Sequence, residues 1–202
     1  MKRALVIGID AYPTAPLTGC VNDAIAISQL LQTNGNGDPN FSVRTMISQD
    51  CEVTGADINE AVEKLFQGDA ETVVLYFAGH GIINKITNTG HIVAQDGKKS
   101  AWGMSLADIL TLANRAYPNI KSSVIILDSC NSGILGEIPT LSEDAGSNIG
   151  TGVTILTACH RDGTAGEGDR HGLFTEIVMD GRRGAASDIL GHINSVPIYQ
   201  SL

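Results

Sequence analysis

Three apolar runs constrain what this chain can fold into, and each is followed at once by small and polar residues. Residues 4–9 (Ala-Leu-Val-Ile-Gly-Ile) stop at Asp10 and then Tyr12-Pro13. Residues 72–77 (Thr-Val-Val-Leu-Tyr-Phe) lead into Ala78-Gly79-His80-Gly81, and residues 123–127 (Ser-Val-Ile-Ile-Leu) lead into Asp128-Ser129-Cys130-Asn131-Ser132-Gly133. Runs of this length without polar alternation read as strands covered on both faces, the condition of a parallel sheet between helices. Helical spacing fills the intervals. Ala24, Ile25, Ile27, Leu30 and Leu31 lie on one side of a segment headed by Asn22 and Asp23. A second helix over about 56–67 carries Ile58, Ala61, Val62, Leu65 and Phe66 and is closed by Gly68. A third spans 106–116. Further strands are expected at 41–47, near 91–94 and at 153–157, with a helix over about 173–180 and a loop over 134–151. The alternation predicts an α/β fold, a three-layer sandwich with a mostly parallel central sheet and helices on both faces. Its ligands would sit outside the carboxyl ends of the strands.

A chain of 202 residues, 43% of them hydrophobic, has enough material for one core and is expected to form one domain. Thirteen Lys and Arg stand against twenty-two Asp and Glu, a net charge of -9 that argues against a nucleic-acid partner and favours basic ligands. Cys20, Cys51, Cys130 and Cys159 lack the close pairing of a zinc site or a disulfide framework, which fits reduced thiols in a cytoplasm. The apolar run behind Met1-Lys2-Arg3 is too short for a signal peptide, and no run reaches the length of a membrane span, so no membrane partner is expected for this domain. The segment Ile198-Tyr199-Gln200-Ser201-Leu202 reads as the opening of a helix without a stop signal. Residues 1–202 are therefore expected to be one domain of a longer protein, with any recruiting or effector part outside it.

A cysteine nucleophile needs a base or cation beside it, because the thiolate attacks and an unperturbed thiol is mostly protonated at neutral pH. His80 can serve Cys130 in that way. The glycines beside His80 would let the backbone leave the strand abruptly, and the N–H groups of Gly81 and Cys130 could form an oxyanion hole. Alone, a Gly-His-Gly is most simply a tight turn and a strand-end cysteine a core residue. Together they follow two apolar strands at a spacing of fifty residues, the separation of histidine and cysteine in caspases.

Tyr76-Phe77-Ala78-Gly79-His80-Gly81 and Asp128-Ser129-Cys130-Asn131-Ser132-Gly133 resemble the histidine and cysteine motifs of the caspase superfamily, specifically the metacaspases and prokaryotic orthocaspases. Gly19-Cys20-Val21-Asn22-Asp23-Ala24, Leu156-Thr157-Ala158-Cys159 and His171-Gly172-Leu173-Phe174-Thr175 extend the likeness along nearly the whole chain. The resemblance implies a caspase-like sandwich and a cysteine endopeptidase that uses a Cys/His dyad, without a cofactor, to cut proteins or peptides after Arg or Lys. It implies that Asp23 and Asp128 are the pocket acids and that Cys20 lines the pocket. Ala78 stands where the family usually has Ser, which removes one hydroxyl. Two carboxylates in a cleft would hold a guanidinium by charge-assisted hydrogen bonds and repel an acidic side chain. Read without the family, Asp23 is a helix N-cap or first-turn acid and Asp128 a strand-end residue capping a loop.

Many metacaspases hold calcium with clustered carboxylates after the two motifs, whereas residues 82–95 here contain no acid, and Asp96 and Glu137 stand isolated. Calcium-independent activity is therefore expected, with no metal site. Residues 131–160 contain no Lys or Arg, so self-cleavage would fall elsewhere, as at Lys98-Lys99 or Arg182-Arg183. Cys159-His160 would point to opposite faces of a strand. His91, His171 and His192 lack ligand spacing, and Trp102 and Met104 suit ordinary packing better than a cleft lining. Two rivals stand beside the peptidase reading: a catalytically inactive caspase-like scaffold or regulatory module, and a flavodoxin-like nucleotide-binding domain. The second lacks a Gly-rich phosphate loop after its first strand.

Overall fold

A computed structural model of the chain describes residues 1–84, 89–99, 101–129 and 149–157, together with the backbone of Cys130. In chain order these form β1 (Lys2–Gly8), α1 (Cys20–Gln32), β2 (Ser42–Ile47), α2 (Gly55–Leu65) and β3 (Ala70–Asn84). They continue as β4 (Thr89–Lys98), β5 (Ala101–Ser105), α3 (Leu106–Ala116), β6 (Ile120–Cys130) and β7 (Val153–Thr157). Strands β2, β1, β3, β6 and β7 lie side by side in that order, every neighbouring pair parallel. The far end of β3 then pairs antiparallel with β4, and β4 with β5.

Strand parity sends alternate side chains to two separate cores. On one face Val6, Tyr76, Ala78 and Ile126 pack with Cys20, Ala24 and Ile27 of α1. On the other, Leu5, Leu75, Phe77 and Ile125 pack with Ile58 and Val62 of α2 and with Ile109 of α3. Each fully buried Leu, Ile or Val of this kind contributes roughly 1.5–3 kcal/mol relative to its exposed state. The three-layer α/β sandwich expected from the sequence is thus what forms. α2 begins in a reciprocal cap, since Thr54 Oγ1 accepts from Asp57 N at 3.2 Å while Asp57 Oδ2 accepts from Thr54 N at 3.2 Å.

The order of strands reverses at β1: the chain goes from β1 outward to β2, then crosses back so that β3, β6 and β7 lie on the other side. The carboxyl ends of β1 and β3 therefore flank the switch point at which open α/β sheets bind ligands.

Helix α3 and strand β7 have the bounds the sequence predicts, and α1, α2 and β2 differ by a residue or two at their ends. Two differences concern β3 and β5. β3 does not stop at Phe77 and turn away; it runs through His80 to Asn84, because its last residues find a new partner in β4 once β1 has ended. Residues 101–105 form β5, with Met104 buried in the core and Trp102 half-buried. That strand carries no β-branched residue, and its neighbour β4 supplies what its own propensity lacks. The residues of the expected 173–180 helix and most of the 134–151 loop lie outside the described residues.

Candidate active site

The site is built from two adjacent rows across the sheet. In the first, Gly8 of β1 pairs with Ala78 of β3, and Ala78 with Asp128 of β6. Two residues further along, His80 pairs with Cys130. Register partners on parallel strands share a face, and positions two apart on a strand share it too. Positions 78, 80, 128 and 130 therefore share one side of the sheet, the side that α1 covers.

α1 closes over that row because β1 ends in a glycine. A Cβ on Gly8 would stand 2.5 Å from the Cys20 carbonyl oxygen and 2.6 Å from the Ala24 methyl, so no other residue lets the helix come so near. The first turn of α1 is held from beneath by Asp10, whose Oδ1 accepts from Cys20 N at 3.0 Å and whose Oδ2 accepts from Val21 N at 3.2 Å. This carboxylate occupies the positive end of the helix, where a nucleotide phosphate would have to sit in a flavodoxin-like domain. Cys20 and Asp23 follow at a spacing of three, which places them on neighbouring parts of the helix surface. Both are buried, at 5% exposure each. Asp23 is the acid of the first turn of α1, and its burial sets it apart from a solvent-facing first-turn acid.

Asp128 is half-buried, and the hydroxyl of Tyr76 lies 3.4 Å from its Oδ2, a long hydrogen bond in which the phenol donates. Tyr76 itself is fully buried two positions before Ala78. Period-two counting back from His80 through Ala78 reaches Tyr76, so its place on this face was available to sequence reasoning and was missed.

His80 is held by the loop between β1 and α1. Its Nε2 lies 2.7 Å from the carbonyl oxygen of Ala15. A carbonyl can only accept, so Nε2 carries the hydrogen and Nδ1 is left as the nitrogen able to take or give a proton. The main-chain N–H of His80 donates to the Tyr12 hydroxyl at 3.0 Å, and that hydroxyl donates onward to the Val93 carbonyl at 3.0 Å. The two rings lie 4.5 Å apart between centroids, inclined by 49°. Gly79 makes room for this: a Cβ there would stand 2.5 Å from the Tyr12 oxygen and 2.8 Å from Phe77 Cζ. The glycine beside His80 thus serves close approach of Tyr12, and not the abrupt turn that its position suggests. Neither Tyr12 nor Ala15 carries a signal in the sequence, because both reach His80 through the path of a loop.

Gly81 lies in β3 opposite Ile92 of β4, and a Cβ on it would meet Ser129 Oγ at 3.0 Å. The residues singled out as pocket and dyad, Cys20, Asp23, Ala78, Asp128, His80 and Cys130, are carried at this end of the sheet by α1, β3 and β6. The other candidates among the described residues are elsewhere. Asp96, an isolated acid in the search for calcium ligands, accepts from the Gly55 N–H at 2.8 Å and so caps α2. Among the described residues no group of three or more His, Cys, Asp or Glu could hold a metal ion. His91 Nδ1 lies 3.2 Å from the Thr89 carbonyl, a local contact. Glu137, Cys159, His160, His171, His192 and Arg182-Arg183 lie outside the described residues. No helix among the described residues is long and apolar enough to cross a membrane.

Comparison with solved structures shows the same architecture. Protein GSU0716 from Geobacter sulfurreducens superposes with a TM-score of 0.68 at 15% identity, covering 100% of this chain and 89% of that one. The structure of pro-sf-caspase-1 gives 0.59 at 13% identity, covering 93% and 74%. No curated protein matches the chain. At these identities the likeness is one of fold. The family model described as the caspase domain matches residues 1–196. With a caspase-type sheet, helices on both of its faces and a family match over nearly its whole length, the chain belongs to the caspase domain family of cysteine peptidase-like proteins.

Proposed function

We propose that the protein is a cysteine endopeptidase of the metacaspase or orthocaspase kind, cutting peptide bonds after Arg or Lys without calcium, in the cytoplasm. The observation that carries this reading is the pairing of His80 with Cys130 two positions beyond the pairing of Ala78 with Asp128, a reacting row on the same face as a row that carries an acid.

The basic side chain of the substrate would enter between α1 and the sheet, where Asp23 and Asp128 pair with it and Cys20 and Ala78 line the wall. Charge-assisted hydrogen bonds to a guanidinium or ammonium favour such a residue, and the same carboxylates repel an acidic one. The Cys130 thiol gives its proton to His80 Nδ1, and the thiolate adds to the carbonyl carbon. The oxyanion is held by the N–H groups of Gly81 and Cys130. The carbon–nitrogen bond then breaks as His80 returns the proton to the leaving amine, leaving a thioester on Cys130. Water, deprotonated by His80, adds to the thioester; the carbon–sulfur bond breaks, the new carboxyl group departs, and the thiol is restored. The Ala15 carbonyl keeps Nε2 occupied throughout, so a single ring nitrogen serves both proton transfers.

The test is an assay of the purified protein with short peptides ending in Arg, Lys or Asp before a fluorogenic leaving group, beside Cys130→Ala and Asp128→Ala. Cleavage of the basic peptides alone, abolished in Cys130→Ala and unchanged by a calcium chelator, is the expected result. Folded protein inert toward all three peptides would favour the scaffold reading. Loss of turnover on chelation, restored by calcium, would overturn the calcium independence.

A further inference from the structure

Outside the dyad and its pocket, the group most fully committed to the reacting row is the phenol of Tyr12. We propose that Tyr12 is the positioning residue of the His80 imidazole, fixing where the proton-transferring nitrogen stands relative to Cys130. The inference rests on the peptidase reading and adds to it a residue with no chemistry of its own.

Three observations converge on Tyr12. Its hydroxyl joins β3 to β4 just beyond the point where β3 ceases to be paired with β1: it accepts from the His80 N–H and donates to the Val93 carbonyl of β4, each at 3.0 Å. Its ring lies against the imidazole, with the centroids 4.5 Å apart. The side chain is 6% exposed and belongs to the core on the α2 and α3 face, so it is anchored from the side opposite to the pocket. β1 ends at Gly8, paired with Ala78, and the pairing of β3 with β4 begins only at Gly81, so His80 falls between the two. Tyr12 fills the place that a longer β1 would take, satisfying the His80 N–H with a hydroxyl instead of a carbonyl. A neighbouring strand could offer the hydrogen bond but not the ring. With Ala15 holding Nε2 from the same loop, main chain and ring of His80 are both fixed from residues 10–19. A half-buried side chain held at its ring, at Nε2 and at its main-chain N–H has little freedom to relax, and a reacting geometry depends on such restraint.

The decisive variant is Tyr12→Phe, which keeps the ring and removes the oxygen. The expected result is a fall of about tenfold in kcat with KM unchanged within about twofold. The His80 amide, read by NMR, should exchange faster with solvent while amides of β6 exchange at the wild-type rate. Should Tyr12→Phe fail to fold, 3,5-difluorotyrosine placed at position 12 alone, assayed at a pH where its phenol stays protonated, keeps the shape and weakens the acceptor; kcat should then fall by a smaller factor with KM again flat. Wild-type kcat in a folded Tyr12→Phe or fluorinated protein, or equal losses in kcat and in affinity for the peptide, would overturn the role of Tyr12 while leaving the peptidase reading intact. A wild-type protein that neither cleaves basic peptides nor reacts at Cys130 with a chloromethyl ketone ending in Arg would remove the peptidase reading, and the role with it.

Discussion

The carbonyl oxygen of Ala15 stands 2.7 Å from Nε2 of His80. A loop residue with a methyl side chain thereby decides which ring nitrogen of His80 carries the hydrogen. Because a carbonyl has no hydrogen to give, the contact holds only while Nε2 is protonated.

The first prediction follows from that contact. In Cys130→Ala protein with nitrogen-15 in its histidines, the neutral form of His80 should carry its hydrogen on Nε2 and leave Nδ1 bare. Long-range proton–nitrogen correlation spectra read the tautomer directly, and a signal from the opposite tautomer would contradict the arrangement.

Under the proposed function, Asp23 and Asp128 should act on affinity for the basic side chain. Each hydrogen bond to a charged group is worth about 1.5–3 kcal/mol, so Asp128→Ala or Asp23→Ala should lower kcat/KM for Arg peptides by about 10- to 100-fold. Alkylation of Cys130 by a small uncharged reagent should change far less. Equal losses with both probes would mean that the acids support the fold and not the pocket.

Gly8 offers a way to move the pocket without touching it. Gly8→Ala places a methyl 2.5 Å from the Cys20 oxygen, so the first turn of α1 must rise from the sheet and carry Cys20 and Asp23 with it. Overpacking of this kind costs about 1–3 kcal/mol. The expected outcome is a lower Tm with a raised KM for basic peptides. A variant that loses stability and keeps its KM would show that the pocket does not depend on the seat of α1.

The cap of α2 should make stability depend on pH at the acid end. The Thr54 side chain, and then its backbone N–H, hold the Asp57 carboxyl below the usual carboxylate range. A depressed acid contributes stability that is complete above its unfolded pKa, near 3.9, and is lost as the pH falls through the lower folded value. Asp57→Asn should therefore melt below the wild type at neutral pH, and the gap should close under strongly acidic conditions. Melting curves in parallel buffers test it, and a gap constant with pH would contradict the assignment.

Where period and composition act locally, the sequence is sufficient. The apolar runs at 4–9, 72–77 and 123–127 had no alternative to burial on both faces, which fixes them as central strands. Helix α3 is legible to the residue because its Ser105 cap and apolar stripe are both local signals. The apolar runs ahead of the two motifs put His80 and Cys130 on the central sheet, but His80 lies inside β3 and not at its end.

What the tertiary structure decided is everything that depends on which strand stands beside which. The contact of Tyr76 with Asp128, the extension of β3 once β4 is available, and the existence of β5 all need a neighbour that propensity cannot name. The same holds for Tyr12, Ala15 and Asp10, which reach the site along a loop and not along a strand. A side chain's face is set by the two-residue repeat of its own strand. Its partner is set by packing between segments tens of residues apart, and only the folded chain brings those together.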